Sequence, residues 1–131
     1  MLNTKQDQNS NDKNSKRFDL EERTTQFARN ANAIVRSIPR DITNIENGKQ
    51  LARSAGSVAA NYIEANEALS KKDFIMRIKI CRKEAKESRL WLKLIQPKEQ
   101  DLKNKDALID EATQLMKIFG AILTKTGNTK F

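Results

Sequence analysis

The sequence predicts an all-α protein, an antiparallel up-down-up-down four-helix bundle. Apolar residues recur at helical spacing in four successive segments, and no run alternates apolar and polar residues as a strand does. Glycine and proline, which interrupt helices, number only four and two among 131 residues. Because the segments are joined by short connections, we expect successive helices to pack antiparallel.

The first predicted helix runs from about Leu20 to Ser37. Asp19 and Glu22 stand three residues apart before the periodic stretch, which is typical of a capping pair. Residues 1–17 are polar and low in complexity, so we expect a disordered tail there. The apolar face of the helix repeats every 3.6 residues and consists of Leu20, Thr24, Phe27, Ala31, Ile34 and Ile38.

The second predicted helix runs from about Ile42 to Leu69, with Gly48 as a candidate break. Residues 52–60 are nearly all small, which favours close packing of a neighbouring helix over contact with a ligand. We expect Gly56 to serve that approach, because glycine inside a helix otherwise costs up to about 1 kcal/mol relative to alanine.

The third predicted helix opens with Ser70 as its N-cap and continues to about Ile95, where the following Pro97 stops it. The fourth runs from about Lys103 to Lys125. The bundle is thus expected to be a single domain over residues 18–126, and residues 127–131 are expected to fray.

Composition excludes several kinds of site. The chain has no histidine, so it has no Ser-His-Asp triad and no histidine-ligated metal. Its single cysteine, Cys81, excludes an intrachain disulfide and a four-cysteine zinc site. Glu64, Glu84 and Glu87 raise the question of a di-metal site, but the ferritin-like pattern needs Glu-x-x-His. We therefore expect no enzymatic activity, no metal and no cofactor.

The sequence also indicates where the protein resides. It has neither an apolar signal-peptide core at residues 1–15 nor an apolar stretch long enough to span a bilayer. With one thiol and no such segment, a reducing cytoplasm is expected, and no membrane partner.

The third helix carries a core face and a basic flank. On a helical projection, the core face consists of Phe74, Ile78, Cys81, Ala85, Ser88 and Leu92. Residues 71–93 hold nine basic and three acidic residues, a net charge of +6. Eight of the basic residues share one flank and are candidate phosphate contacts: Lys71, Lys72, Lys79, Arg82, Lys83, Lys86, Arg89 and Lys93. An ordinary solvated helix face would show the same pattern, so both interpretations stay open here.

A third sector of this helix is apolar and acidic, and we expect it to form a subunit interface with a related sector of the second helix. Tryptophan and methionine are enriched at interfaces. The expected interface consists of Arg53, Ser57, Glu64, Met76, Ile80, Glu84, Glu87, Trp91 and Leu94. Its charges would pair as Arg53 with Glu84 or Glu87. The alternative is that the two glutamates pair only with basic residues one turn away.

Four ordered blocks of the chain resemble the four helix bundle protein family, also called 23S rRNA-intervening sequence proteins or ribosomal protein S23-like. The most specific block is QLARSAGSVAANYIEA at residues 50–65; the others are SKKDF (70–74), KEAKESRLWL (83–92) and DLEERT (19–24). This chain departs from the family at Ala55 and Ala60, where members often have glycine.

The resemblance implies an antiparallel four-helix bundle that assembles into a homopentameric ring without enzymatic activity. It also implies an RNA-linked role, because genes of this family can lie inside intervening sequences of 23S rRNA genes. A similar basic bundle is an accessory protein of diversity-generating retroelements, where it binds nucleic acid and a reverse transcriptase. Four positions carry over as structural or interface residues: Arg53, Glu64, Glu84 and Glu87.

Two functions follow from these observations. The first is a non-catalytic, oligomeric scaffold that binds nucleic acid, RNA before DNA, through the basic flank. That flank has no aromatic residue among its lysines, so little base stacking or sequence specificity is expected. The alternative is a protein-interaction adaptor whose basic face receives an acidic protein partner, with no nucleic-acid role.

Overall fold

The computed structural model describes the backbone of residues 12–127, and the side chains of residues 20–127. This part of the chain contains no β-strand, so the all-α prediction is confirmed. Four α-helices and one short 3-10 helix are present: α1 (Asp12–Ser37), α2 (Ile42–Asn66), α3 (Lys71–Leu94), the 3-10 helix (Glu99–Asp101) and α4 (Leu102–Lys125).

The four helices form an up-down-up-down bundle, as expected. Each packs against the next along the chain, and α1 closes on α4 with the sparsest packing of the four pairs. The α2–α3 pair shows the antiparallel register: Ser54 of α2 hydrogen-bonds Ser88 of α3 at 2.8 Å, whereas the later Val58 carbonyl accepts from the earlier Cys81 Sγ at 3.6 Å.

Short polar side chains start two of the helices. The Asp41 carboxylate accepts from the backbone N–H of Asn44 at 2.8 Å at the start of α2. The Ser70 hydroxyl accepts from the N–H of Asp73 at 3.0 Å at the start of α3, which confirms the predicted N-cap. Both bonds satisfy backbone donors that have no partner inside the helix.

Helix α1 begins earlier than the sequence predicted. Its first residue is Asp12, so residues 12–17, which we expected in a disordered tail, are helical. Asp19 therefore lies inside the helix and is not its cap. Once the packed stretch from Leu20 onward is helical, each further residue adds one hydrogen bond without a new nucleation cost. The remainder of the expected tail, residues 1–11, lies outside the described residues, as do residues 128–131 of the expected frayed end.

The two glycines of α2 have the opposite roles from those predicted. The helix runs unbroken through Gly48 and ends at Asn66, before the predicted Leu69. A Cβ on Gly48 would lie 3.4 Å from the side chains of Val35 and Ile38, so the close approach to α1 is at this glycine. Gly56 is exposed, with nothing within 4 Å of such a Cβ. Helix rotation explains the difference, because Gly48 faces α1 and Gly56 faces outward.

A buried asparagine ties together the two connections at one end of the bundle. The Asn44 side-chain amide donates to the carbonyls of Pro39 at 2.9 Å and Gln96 at 3.0 Å, and its Oδ1 accepts from the Gln96 N–H at 2.9 Å. The α1–α2 and α3–α4 connections are thus held by one side chain. This fixes the end of the bundle at which α3 finishes.

Candidate nucleic-acid interface

The core-facing side of α3 is almost as predicted. Five of its six residues are fully buried, and Phe74 is half-buried at the edge of the core. The Ser88 hydroxyl also donates to the Glu84 carbonyl at 2.8 Å, so its polar atom is satisfied. Burial raises the pKa of the Cys81 thiol from 9.0 to about 12, so at neutral pH it is an inert, protonated core group. This buried side fixes which flanks of α3 face outward.

One flank of α3 faces α2, and its acids are neutralised there. Arg53 of α2 lies 3.1 Å from a carboxylate oxygen of Glu84 and 3.5 Å from one of Glu87. The side chain of Glu84 is only 7% exposed, and its second oxygen lies 3.8 Å from Lys83 Nζ. The pairing predicted for these three residues therefore forms, and it forms within one chain.

The opposite flank of α3 carries the exposed lysines. Five of them have no ion-pair partner anywhere in residues 20–127, which are Lys71, Lys72, Lys79, Lys86 and Lys93. Lys83 is exposed as well, although it lies near Glu84. The structure therefore places six of the eight predicted basic residues at the surface, and the ammonium groups of five of them have no ion-pair partner among residues 20–127.

The two arginines of the predicted set differ from the lysines. Arg89 is half-buried and donates to the hydroxyl of Thr113 on α4 at 3.1 Å. Arg82 is half-buried too, and its Nε lies 3.8 Å from the position of a Cβ on Gly120 of α4. The arginines thus line the α3–α4 seam. The sequence did not predict that Thr113 and Gly120 lie next to these arginines; the available signal was that both arginines project toward the core side of the flank.

Apart from the buried Glu84, the residues expected at a subunit interface are exposed or half-buried on α2 and α3. Met76 and Leu94 are 48% and 46% exposed, while Ile80 and Trp91 are half-buried. The indole Nε1 of Trp91 is buried without a hydrogen-bond partner among the described residues. A buried donor without a hydrogen-bond partner is unusual in a folded protein. Here it accompanies exposed apolar side chains on the same helix.

On α2, the predicted interface position Ser57 is part of a small polar network. Asn61 donates to both the hydroxyl and the carbonyl of Ser57 at 3.0 Å, and its own Oδ1 accepts from Arg77 of α3 at 3.0 Å. Glu64 is exposed, and it lies outside the Arg53 ion pairs. Of the three glutamates predicted at the interface, Glu84 and Glu87 therefore pair with Arg53, and Glu64 lies in solvent away from them.

Residues 20–127 contain no cluster of three or more cysteine or acidic side chains that could hold a metal ion. No α-helix in the described part of the chain combines the length and apolar character needed to cross a membrane.

Comparison with known proteins agrees with this architecture. A family model described as 23S rRNA-intervening sequence protein matches residues 16–121, which reach into all four helices. The chain is also similar to a crystal structure from Bacteroides thetaiotaomicron, of a protein with unknown function from the S23 ribosomal protein family. The two are 25% identical, the match covers 79% of this chain and 96% of that one, and the TM-score is 0.66. No curated protein matches the chain.

Proposed function

We propose that this chain, which belongs to the 23S rRNA-intervening sequence protein family, is a non-catalytic scaffold that binds nucleic acid through α3 and prefers RNA to DNA. The observation that carries the proposal is the separation of charge on this helix. Two of its three acids are held by Arg53 on the α2 side, and five lysines on the other side have no counter-charge in residues 20–127. Such a row attracts phosphates and gains affinity by releasing their counterions.

The chemistry of the row indicates contact with the backbone of the nucleic acid. Lysine offers a flexible point charge and no stacking surface, and none of the five lysines has an aromatic residue beside it on the exposed flank. Arg82 and Arg89, which would be better suited to bidentate recognition, are half-buried along α4. We therefore expect low sequence specificity and affinity that falls steeply with salt.

Fluorescence anisotropy of a structured RNA and of a duplex DNA, each at two salt concentrations, tests the proposal. The informative variant is Lys79→Glu with Lys86→Glu, which is expected to abolish binding. Lys98→Glu with Lys103→Glu is the matched control, because it changes the net charge from +8 to the same +4 at two exposed lysines outside the row. Equal loss of binding in both variants, or none in the first, would overturn the proposal.

We propose further that the protein assembles as a homopentamer, and that it acts in the cytoplasm. The assembly is supported by the half-exposed Leu94 at the end of α3, an apolar side chain that a neighbouring subunit would cover. Light scattering on the Leu94→Gln variant tests it, because a half-exposed leucine is dispensable for the core. The wild-type mass should be five times the chain mass and fall in the variant; a monomeric wild-type protein would refute the assembly.

A further inference from the structure

A surface depression of about 820 Å³ lies along the first two turns of α3. Its apolar part is formed by Ile75 and Met76, and its charged part by Lys71, Lys72 and Lys79. Nucleic-acid binding would use these lysines, but it gives no role to the apolar side chains between them. The depression is therefore a separate feature at the end of the lysine row where α3 begins.

The fold does not need all of the apolar surface at this end of the bundle. Met76 is 48% exposed, and Leu69, in the connection just before α3, is fully exposed. Ile75 differs from both, since it is half-buried and packs against the core. Exposed apolar side chains gathered at a polar rim are typical of a surface that binds a partner.

The charges around the depression define what it would accept. Its three lysines have no ion-pair partner among residues 20–127. Asp73, the one acid at its edge, occupies the first turn of α3, where a carboxylate is favoured by the helix dipole. The surface is thus apolar at its centre and positive around it.

We propose that this depression binds an acidic segment of another protein, which places an apolar side chain against Ile75 and Met76 and its carboxylates against the three lysines. A nucleic acid would meet the lysines but leave the apolar centre uncovered, because no aromatic face is present there for a base to stack on. A concave surface of this size can hold a short segment of a chain, whereas a bilayer presents a broad layer of headgroups. Both functions would use these three lysines, whereas only the acidic segment would use Ile75 and Met76, so the apolar side chains distinguish the two.

The test uses a short fluorescein-labelled peptide in which glutamates surround two leucines, titrated with the full chain at low salt. Leu69→Asn with Met76→Gln removes exposed apolar surface without touching a charge or the core. It should raise the dissociation constant of the peptide about fivefold and leave RNA binding unchanged. Lys86→Gln with Lys93→Gln is the matched control; it should weaken RNA binding and leave the peptide within about twofold.

Four results would overturn the inference. The first is that the peptide does not bind the wild-type chain. The second is that the peptide binds equally well when its leucines are replaced by asparagine, which would mean that it adsorbs through charge alone. The third is that the apolar variant weakens binding to vesicles of anionic lipid and not to the peptide, which would assign the surface to a membrane. The fourth is that the apolar variant changes the mass measured by light scattering, which would assign the surface to a second copy of this chain, since Met76 is also one of the residues predicted from the sequence at the subunit interface.

Discussion

The two flanks of α3 hold their charges in opposite states. Toward α2, Glu84 and Glu87 share Arg53, and the Glu84 side chain is almost completely buried. Away from α2, five lysines are exposed and have no ion pair in residues 20–127. For binding at the surface, the position of the counter-charges therefore matters more than the sum of charges. Two of the acids counted against the lysines in the sequence are offset by another helix, so the outward flank is more positive than the total suggests.

The two flanks also differ in what they contribute to stability. A buried carboxylate loses its hydration and needs a partner, so the packing of α2 against α3 depends on the Arg53–Glu84 contact. An exposed lysine stays hydrated and contributes little to the folded state. The α2 side of α3 is thus a structural flank, and the lysine side is available for binding.

The largest effect is expected from breaking the structural flank. Arg53→Ala leaves the buried Glu84 carboxylate with only the Lys83 ammonium, 3.8 Å away, as a partner. It should lower the free energy of unfolding by about 2 kcal/mol, which is less than the loss expected for a fully buried pair because Arg53 is half exposed. Urea denaturation measures the change. In the double variant with Glu84→Gln, most of the loss should be recovered; a loss that stays the same would show that Arg53 acts through packing alone.

A smaller effect is expected from the buried hydroxyl pair on the same side. Ser54→Ala removes the 2.8 Å hydrogen bond to Ser88 and should cost about 1 kcal/mol in urea denaturation. Ser57→Ala, in the polar network nearer the surface, is the comparison and should cost less. If the Ser57 variant were the more destabilised of the two, the buried pair would not be a stabilising contact.

The lysine flank should respond far less. Lys79→Gln with Lys86→Gln is expected to change the free energy of unfolding by no more than about 0.5 kcal/mol, because both side chains are exposed and unpaired. The same denaturation experiment at low and moderate salt should show a slightly weaker salt dependence than wild type, since like-charge repulsion is reduced. A loss as large as that of Arg53→Ala would erase the distinction between the flanks.

The last effect is absent at neutral pH, appears only in alkaline solution, and reports on the buried side of α3 between the flanks. The pKa of Cys81 is raised by burial to about 12 in the folded chain, from 9.0 when exposed. Its contribution to stability is therefore fully present below pH 9 and lost as the pH rises toward 12. Cys81→Ala should lose stability less steeply than wild type over that window in urea denaturation. Parallel curves would show that the thiol is not the group that titrates.

Sequence reasoning predicted well wherever an effect is local. The apolar periodicity located all four helices, and Ser70 was correctly predicted to cap α3, because spacing along one helix and hydrogen bonds over three residues depend only on neighbours in the chain. The start of α1 at Asp12 was missed because helix propagation from a packed segment leaves no apolar pattern in the sequence.

The four amphipathic helices, the core side of α3 and the lysines on one of its flanks are all evident from the sequence alone. Three features appear only in the folded chain: Arg53 pairs with Glu84 within the chain, Arg82 and Arg89 lie along α4, and Gly48 makes the close approach. These features depend on how each helix is rotated and shifted against its neighbour. That rotation and register are set by packing of the whole core, which periodicity along a single helix does not specify.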